Sequence, residues 1–308
     1  EEKFHGAVVG HDGRQDARAF TETVQVGEKL EKLSEITAVQ REKQALIVHD
    51  WQNKWALEGS CGPRNAGLGY WDELKRHYNA LARAGIAVEF GDETADLTGY
   101  RLVVVPMLYL LTDAFAKKLC DFAQSGGTIV VTYWTGVVDE SDLCRLGDTP
   151  YGLTELLGLR RTEIDGMYDG ETRRCTPVDG CTLPETQASI LCEVAVPNDN
   201  DPAKPLCVYA EDYFAQHPAA AVHKYGAGRA YYLASRFDED FYRTFYRDAA
   251  KELGLTPAWP QPLPAGVLAV KRGNFVLVQN CTEQPVTVGE RELPRYGTAV
   301  WNESQCVL

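Results

Sequence analysis

The chain is 308 residues long, room for about two ordinary domains, and its 44% hydrophobic and 24% charged residues support a buried core. Its formal net charge of −13 is spread without a basic run, which argues against nucleic acid and anionic membranes and favours a neutral or small polar ligand. No stretch approaches the ~20 apolar residues needed to span a bilayer, and no secretory segment is visible.

The sequence opens Glu1-Glu2-Lys3-Phe4-His5-Gly6, without an initiator Met. Glu2 and His5 are three apart, a spacing that puts both on one face of a helix or turn. There a carboxylate and an imidazole could grip neighbouring hydroxyls, although spacing alone is met more simply by a solvated chain end. Residues 17–33 carry Phe20, Val24, Leu30 and Leu33 near 3.6-residue spacing, which predicts an amphipathic helix. Such a helix needs a surface to cover, and nothing upstream supplies one. The expectation is therefore the tail of a larger protein.

Ala45-Leu46-Ile47-Val48 reads as a buried strand, followed by the loop His49-Asp50-Trp51-Gln52-Asn53-Lys54-Trp55. Residues 70–84 are helical, closed by Gly85, and residues 86–90 form the next strand. The continuous apolar run Leu102-Val103-Val104-Val105, three of its four residues β-branched, suggests burial on both faces, as in a parallel sheet. Thr112 caps a helix through Gln124, Gly126-Gly127 ends it, and residues 128–132 are a fourth strand. Strands alternating with helices predict a doubly wound α/β sheet. Residues 139–201, rich in Gly, Pro and Asp, read as a long excursion with one short helix near Thr154. Strands at 205–209, 219–224 and 230–233 follow, the last two joined by the hairpin Tyr225-Gly226-Ala227-Gly228-Arg229. A helix over 238–253 closes the domain at Gly254. The linker with Pro257, Pro260, Pro262 and Pro264 leads to a small antiparallel β unit.

Nine irregularly spaced cysteines, with no Cys-x-x-Cys, call for no metal and no cofactor and fit reduced thiols of a cytoplasmic protein. A Cys175–Cys181 disulfide is not favoured. The parallel sheet invites comparison with class I glutamine amidotransferases, whose nucleophilic Cys sits in a strained turn after a strand. The corresponding turn is Thr132-Tyr133-Trp134-Thr135-Gly136, and an indole cannot attack a carbonyl. Use of Cys120 or Cys144 instead is remote. Trp51 and Trp55, at the carboxyl end of the first strand, suit a protein interface or, secondarily, sugar stacking. The carboxylate clusters at 139–142 and 238–240 make no convincing glycosidase pair, and Asp238 reads as a helix N-cap.

Together these segments resemble the C-terminal half of glycoside hydrolase family 42 β-galactosidases. The resemblance rests on Glu2-Lys3-Phe4-His5-Gly6 with His11-Asp12-Gly13-Arg14, on Asp50-Trp51 with Trp55-Ala56-Leu57-Glu58, and on Leu102 to Pro106. It continues through Gly126-Gly127-Thr128, residues 135–140, residues 225–230 and Pro294-Arg295-Tyr296-Gly297. It implies residues 1–39 as the last loop and helix of a (β/α)8 barrel. Residues 40–256 would be a glutamine-amidotransferase-like (flavodoxin-like) doubly wound trimerisation domain, and residues 257–308 a linker and small antiparallel β domain. It also implies a homotrimer acting on β-galactosides, with the catalytic Glu pair absent from this chain. Glu2 and His5 would bind galactose hydroxyls. The alternative is a stand-alone assembly or carbohydrate-binding protein without hydrolase activity.

Overall fold

The structure is a computed structural model describing residues 8–60, 62, 67–303 and 305–308. In chain order its elements begin with α1 (Arg18–Lys32), β1 (Ala45–Val48), α2 (Trp51–Gly59), α3 (Tyr70–Arg83), β2 (Val88–Gly91), β3 (Leu102–Val105), α4 (Asp113–Gln124) and β4 (Thr128–Thr132). Next come α5 (Thr154–Leu157), β5 (Leu159–Gly166), β6 (Thr172–Pro177), β7 (Thr186–Pro197), β8 (Lys204–Tyr209), β9 (Pro218–Tyr225), β10 (Gly228–Leu233), β11 (Ser235–Arg236) and α6 (Glu239–Glu252). The chain ends with β12 (Val267–Arg272), β13 (Phe275–Asn280), β14 (Val286–Val288), β15 (Arg291–Leu293), β16 (Thr298–Asn302) and β17 (Gln305–Cys306). It divides into two compact units, Lys43–Ala265 and the remainder.

In the larger unit, β2, β1, β3, β4 and β10 lie side by side in that order, all parallel. Their side chains alternate between two cores, as the strand period of two requires. Ile47, Leu102, Val104 and Val130 face α3 and α6, while Leu46, Val103, Val105, Ile129 and Val131 face α4 and α5. Helices α4 and α6 are each started by a local signal. Thr112 Oγ1 accepts from Phe115 N–H at 3.2 Å, and Asp238 Oδ1 from Phe241 N–H at 3.1 Å. Gly228 permits β10 to close on β4, because a Cβ there would stand 2.1 Å from the Gly127 carbonyl oxygen.

Beyond β10 the sheet turns antiparallel through β9, β8, β6 and β7, with β5 and β11 both pairing β7. This corrects the expected irregular excursion, since residues 139–201 contain three strands, one of them the twelve-residue β7. Charged side chains on β5 and β6 and shifts in the β5–β7 pairing blur the alternation that would have marked them.

The smaller unit pairs β12, β13, β16 and β17 in an antiparallel sheet, with β14 and β15 as a separate hairpin. Buried Asn280 organises its turns, donating to the Gln284 carbonyl at 2.7 Å and the Pro294 carbonyl at 2.9 Å. In the same unit α1 forms where the periodicity predicts it and buries no residue, leaving Leu30 63% exposed. Among the described residues no helix is long and apolar enough to cross a membrane.

Candidate functional site: tryptophans and buried carboxylates at the strand ends

The chain leaves β1 at His49 and enters α2 at once, so Trp51 and Trp55 stand on a helix and not on the expected loop. The reason is Asp50, whose Oδ1 accepts from Asn53 N–H at 2.8 Å and caps the helix. Asn53 is fully buried and anchors α2 to the chain after β3. Its Nδ2 donates to the Met107 carbonyl and its Oδ1 accepts from Leu110 N–H, both at 3.0 Å.

With Asn53 turned inward, the i,i+4 pair Trp51 and Trp55 faces out, 52% and 56% exposed. Trp71 from the start of α3 joins them at 40% exposure. The Trp51 ring centroid lies 6.2 Å from Trp55 and 5.6 Å from Trp71, and His49 stacks on Trp71 at 4.7 Å. Burial lowers the His49 pKa, and its Nε2 is buried without a hydrogen-bond partner. Such a continuous aromatic surface, backed by a neutral imidazole, favours an apolar or ring-shaped partner. Beside α2, a cleft of about 130 Å3 is lined by Asp50, Gln52, Glu93, Thr112 and Glu140, among others.

The turn after β4 has its own strain. Trp134 takes φ +58°, a conformation disfavoured for a bulky residue. It is held there by Glu193, whose Oε1 accepts from Trp134 N–H at 2.9 Å and from Arg161 Nη1 at 2.7 Å, while Tyr232 donates to the other oxygen. The indole stacks on Tyr109 at 5.6 Å, and its Nε1 is buried without a partner. This turn presents no nucleophile. Asp139 and Asp238, from the two acidic clusters, accept local backbone N–H groups.

Glu73 of α3 forms a second buried carboxylate centre. It accepts from Arg236 Nε at 2.8 Å and from the hydroxyls of Tyr133 and Tyr242 at 3.0 Å each. His77 Nε2 lies 3.3 Å away, outside hydrogen-bonding geometry but close enough to stabilise negative charge. Burial alone would raise the Glu73 pKa, but His77, Arg236 and Arg76 outweigh it and hold the carboxyl down to about 2. Sequence spacing does not reveal Glu73, Glu193 or Trp71 as site residues, because their partners come from distant segments. The tryptophan pair at the carboxyl end of β1 was the legible signal.

Glu2 and His5 lie outside the described residues. The eight described cysteines, Cys175 and Cys181 included, are free. Among the described residues no group of three His, Cys, Asp or Glu side chains is placed to hold a metal.

Residues 43–256 match the family described as the β-galactosidase trimerisation domain. β-Galactosidase BglY of Alicyclobacillus acidocaldarius is 41% identical over 308 residues, covering 97% of this chain and 44% of that protein. β-Galactosidase Pbg of Clostridium perfringens is 34% identical, covering 95% and 43%. Among solved structures, the β-galactosidase of Rahnella sp. R3 superposes with a TM-score of 0.89 at 38% identity, covering 97% of this chain and 46% of its own. That of Bacillus circulans sp. alkalophilus gives 0.90 at 29%, covering 97% and 47%. The chain thus spans less than half the length of the relatives it matches. It belongs to the glycoside hydrolase family 42 β-galactosidases, as a C-terminal part that contains their trimerisation domain.

Proposed function

We propose that this chain is the non-catalytic assembly portion of a retaining β-galactosidase acting on terminal β-D-galactosides. Its larger unit, a glutamine-amidotransferase-like domain with Trp134 at the nucleophile position, brings three copies together as a homotrimer. Glu2 and His5 form one edge of the galactose pocket. The observation that carries the assembly role is the Trp51, Trp55 and Trp71 patch. Three tryptophans about half exposed leave roughly 350 Å2 of largely apolar surface open, taking ~250 Å2 for each whole side chain. A contiguous apolar patch of that size matches the largest found on a typical monomer, and such patches are often functional; tryptophan is among the residues most enriched at the energetic centre of protein contacts. The membership of residues 43–256 in a trimerisation-domain family supports the same occupant, a second copy of the chain.

Light scattering on the purified 308-residue chain tests this. The expected mass is three times that of one chain, falling toward the monomer in the double variant Trp51→Ala/Trp55→Ala. The same preparation should not hydrolyse a chromogenic β-galactoside. A trimer indifferent to both substitutions would overturn the interface, and turnover that tracked the protein would overturn the non-catalytic assignment.

A further inference from the structure

Helices α3 and α6 wall a second cleft, about 290 Å3 in volume. In a chain of net charge −13 its lining is unexpectedly cationic, with Lys75, Arg76, Arg83, Arg236 and Arg243 against Asp72 and Glu239. The cations are not equally committed. Arg236 is fully engaged at the back of the cleft, by Glu73 and by the Leu68 carbonyl at 2.5 Å from Nη2. Lys75, Arg83 and Arg243 have carboxylate neighbours, namely Asp72 at 3.5 Å, Glu239 at 3.3 Å and Asp240 at 3.0 Å. All three pairs are solvent-exposed, and such pairs contribute little and exchange readily.

Arg76 is different. Its side chain is three-quarters buried, with the guanidinium 5.8 Å from the centre of the Tyr242 ring. Its Nε is buried with no hydrogen-bond partner among the described residues. The nearest carboxylate oxygen, Glu73 Oε2, is 3.8 Å away and already accepts from Arg236 and Tyr133. A partly buried guanidinium that shares its one carboxylate with Arg236, and that lines an open cavity, has donor capacity left for an anion.

We propose that this cleft binds a phosphoryl group, held by Arg76 and by the loosely paired Arg83 and Arg243. Guanidinium forks match phosphate oxygens, and Arg76, Arg83 and Arg243 line the cleft from two different helices. The cavity also exceeds what the anion alone needs, leaving space for the sugar-sized body that carries it. Inorganic phosphate and a hexose 6-phosphate share this chemistry and are separated by experiment.

Isothermal titration of the 308-residue chain at constant ionic strength, with inorganic phosphate, a hexose 6-phosphate and succinate, tests the site. Saturable binding of one phosphoryl ligand per chain is expected, weakened about tenfold or more by Arg76→Gln. Tighter binding of the hexose 6-phosphate identifies the phosphorylated sugar as the ligand, and equal binding identifies free phosphate. Arg243→Gln, whose side chain is exposed, should weaken binding several-fold while leaving the circular dichroism spectrum unchanged. Affinity unaltered in both variants, or succinate bound as tightly as phosphate, would overturn the assignment. So would thermal stabilisation by phosphate of equal size in wild type and Arg76→Gln, which is the mark of solute exclusion without a site.

Discussion

Glu73→Gln isolates the electrostatic centre beneath α3 with little change of volume. The wild-type carboxylate accepts three hydrogen bonds, from Arg236 Nε, Tyr133 and Tyr242. Glutamine keeps one acceptor oxygen and turns a donor NH2 toward groups that are themselves donors, leaving the Arg236 charge buried and uncompensated. Breaking one side of a buried ion pair costs about 3–5 kcal/mol. At ~2–4 °C per kcal/mol for a unit of this size, the melting temperature should fall by roughly 6–20 °C. A pH series separates charge from packing. The folded pKa of Glu73, about 2, lies below its ordinary value of 4.5. Its contribution is therefore complete above pH 4.5 and lost as pH falls through about 2. That difference is on the order of 3 kcal/mol at ~1.4 kcal/mol per pKa unit. Urea unfolding of both proteins between pH 7 and pH 2 is the assay. The variant should be less stable at pH 7, and its acid limb should be shallower by that amount. A loss under about 1 kcal/mol at pH 7, or an unchanged acid limb, would refute the reasoning.

In the smaller unit, Asn280→Ala removes donors from the Gln284 and Pro294 carbonyls and an acceptor from Thr282, whose N–H and hydroxyl reach Asn280 Oδ1 at 2.9 and 2.7 Å. Hydrogen exchange should quicken across β12, β13 and β16 by the equivalent of about 2–3 kcal/mol, and unchanged protection would count against Asn280 as the organiser. Alkylation mapped by mass spectrometry should label exposed Cys144 and Cys281 first. Cys175, Cys192 and Cys207 should react only after unfolding, since all are buried and burial pushes the Cys192 thiol up to about 12. Early labelling of those three would mean the β6–β7–β8 layer opens in the native state.

Local chemistry made most elements legible before the fold was known. Thr112 and Asp238 announce helix starts, Gly226 a hairpin, and the apolar runs of β1, β3 and β4 a sheet buried on both faces. The tryptophan pair Trp51 and Trp55 at the end of β1 and the family resemblance were equally present in one dimension. Tertiary structure alone decided the rest. The polar strands β5 and β6 are strands because β7 gives their backbone groups partners, and their own side chains carry little sign of it. The bonds of buried Asn53 to the chain after β3 turn α2 so that both tryptophans face out, where Trp71 joins them from sixteen residues beyond Trp55. Glu73 and Arg236 are ordinary surface residue types by sequence. Their burial, like the part-buried position of Arg76 beside Glu73, exists only because α3 and α6 pack on the same face of the sheet, and a linear pattern does not record which distant charges share one low-dielectric space.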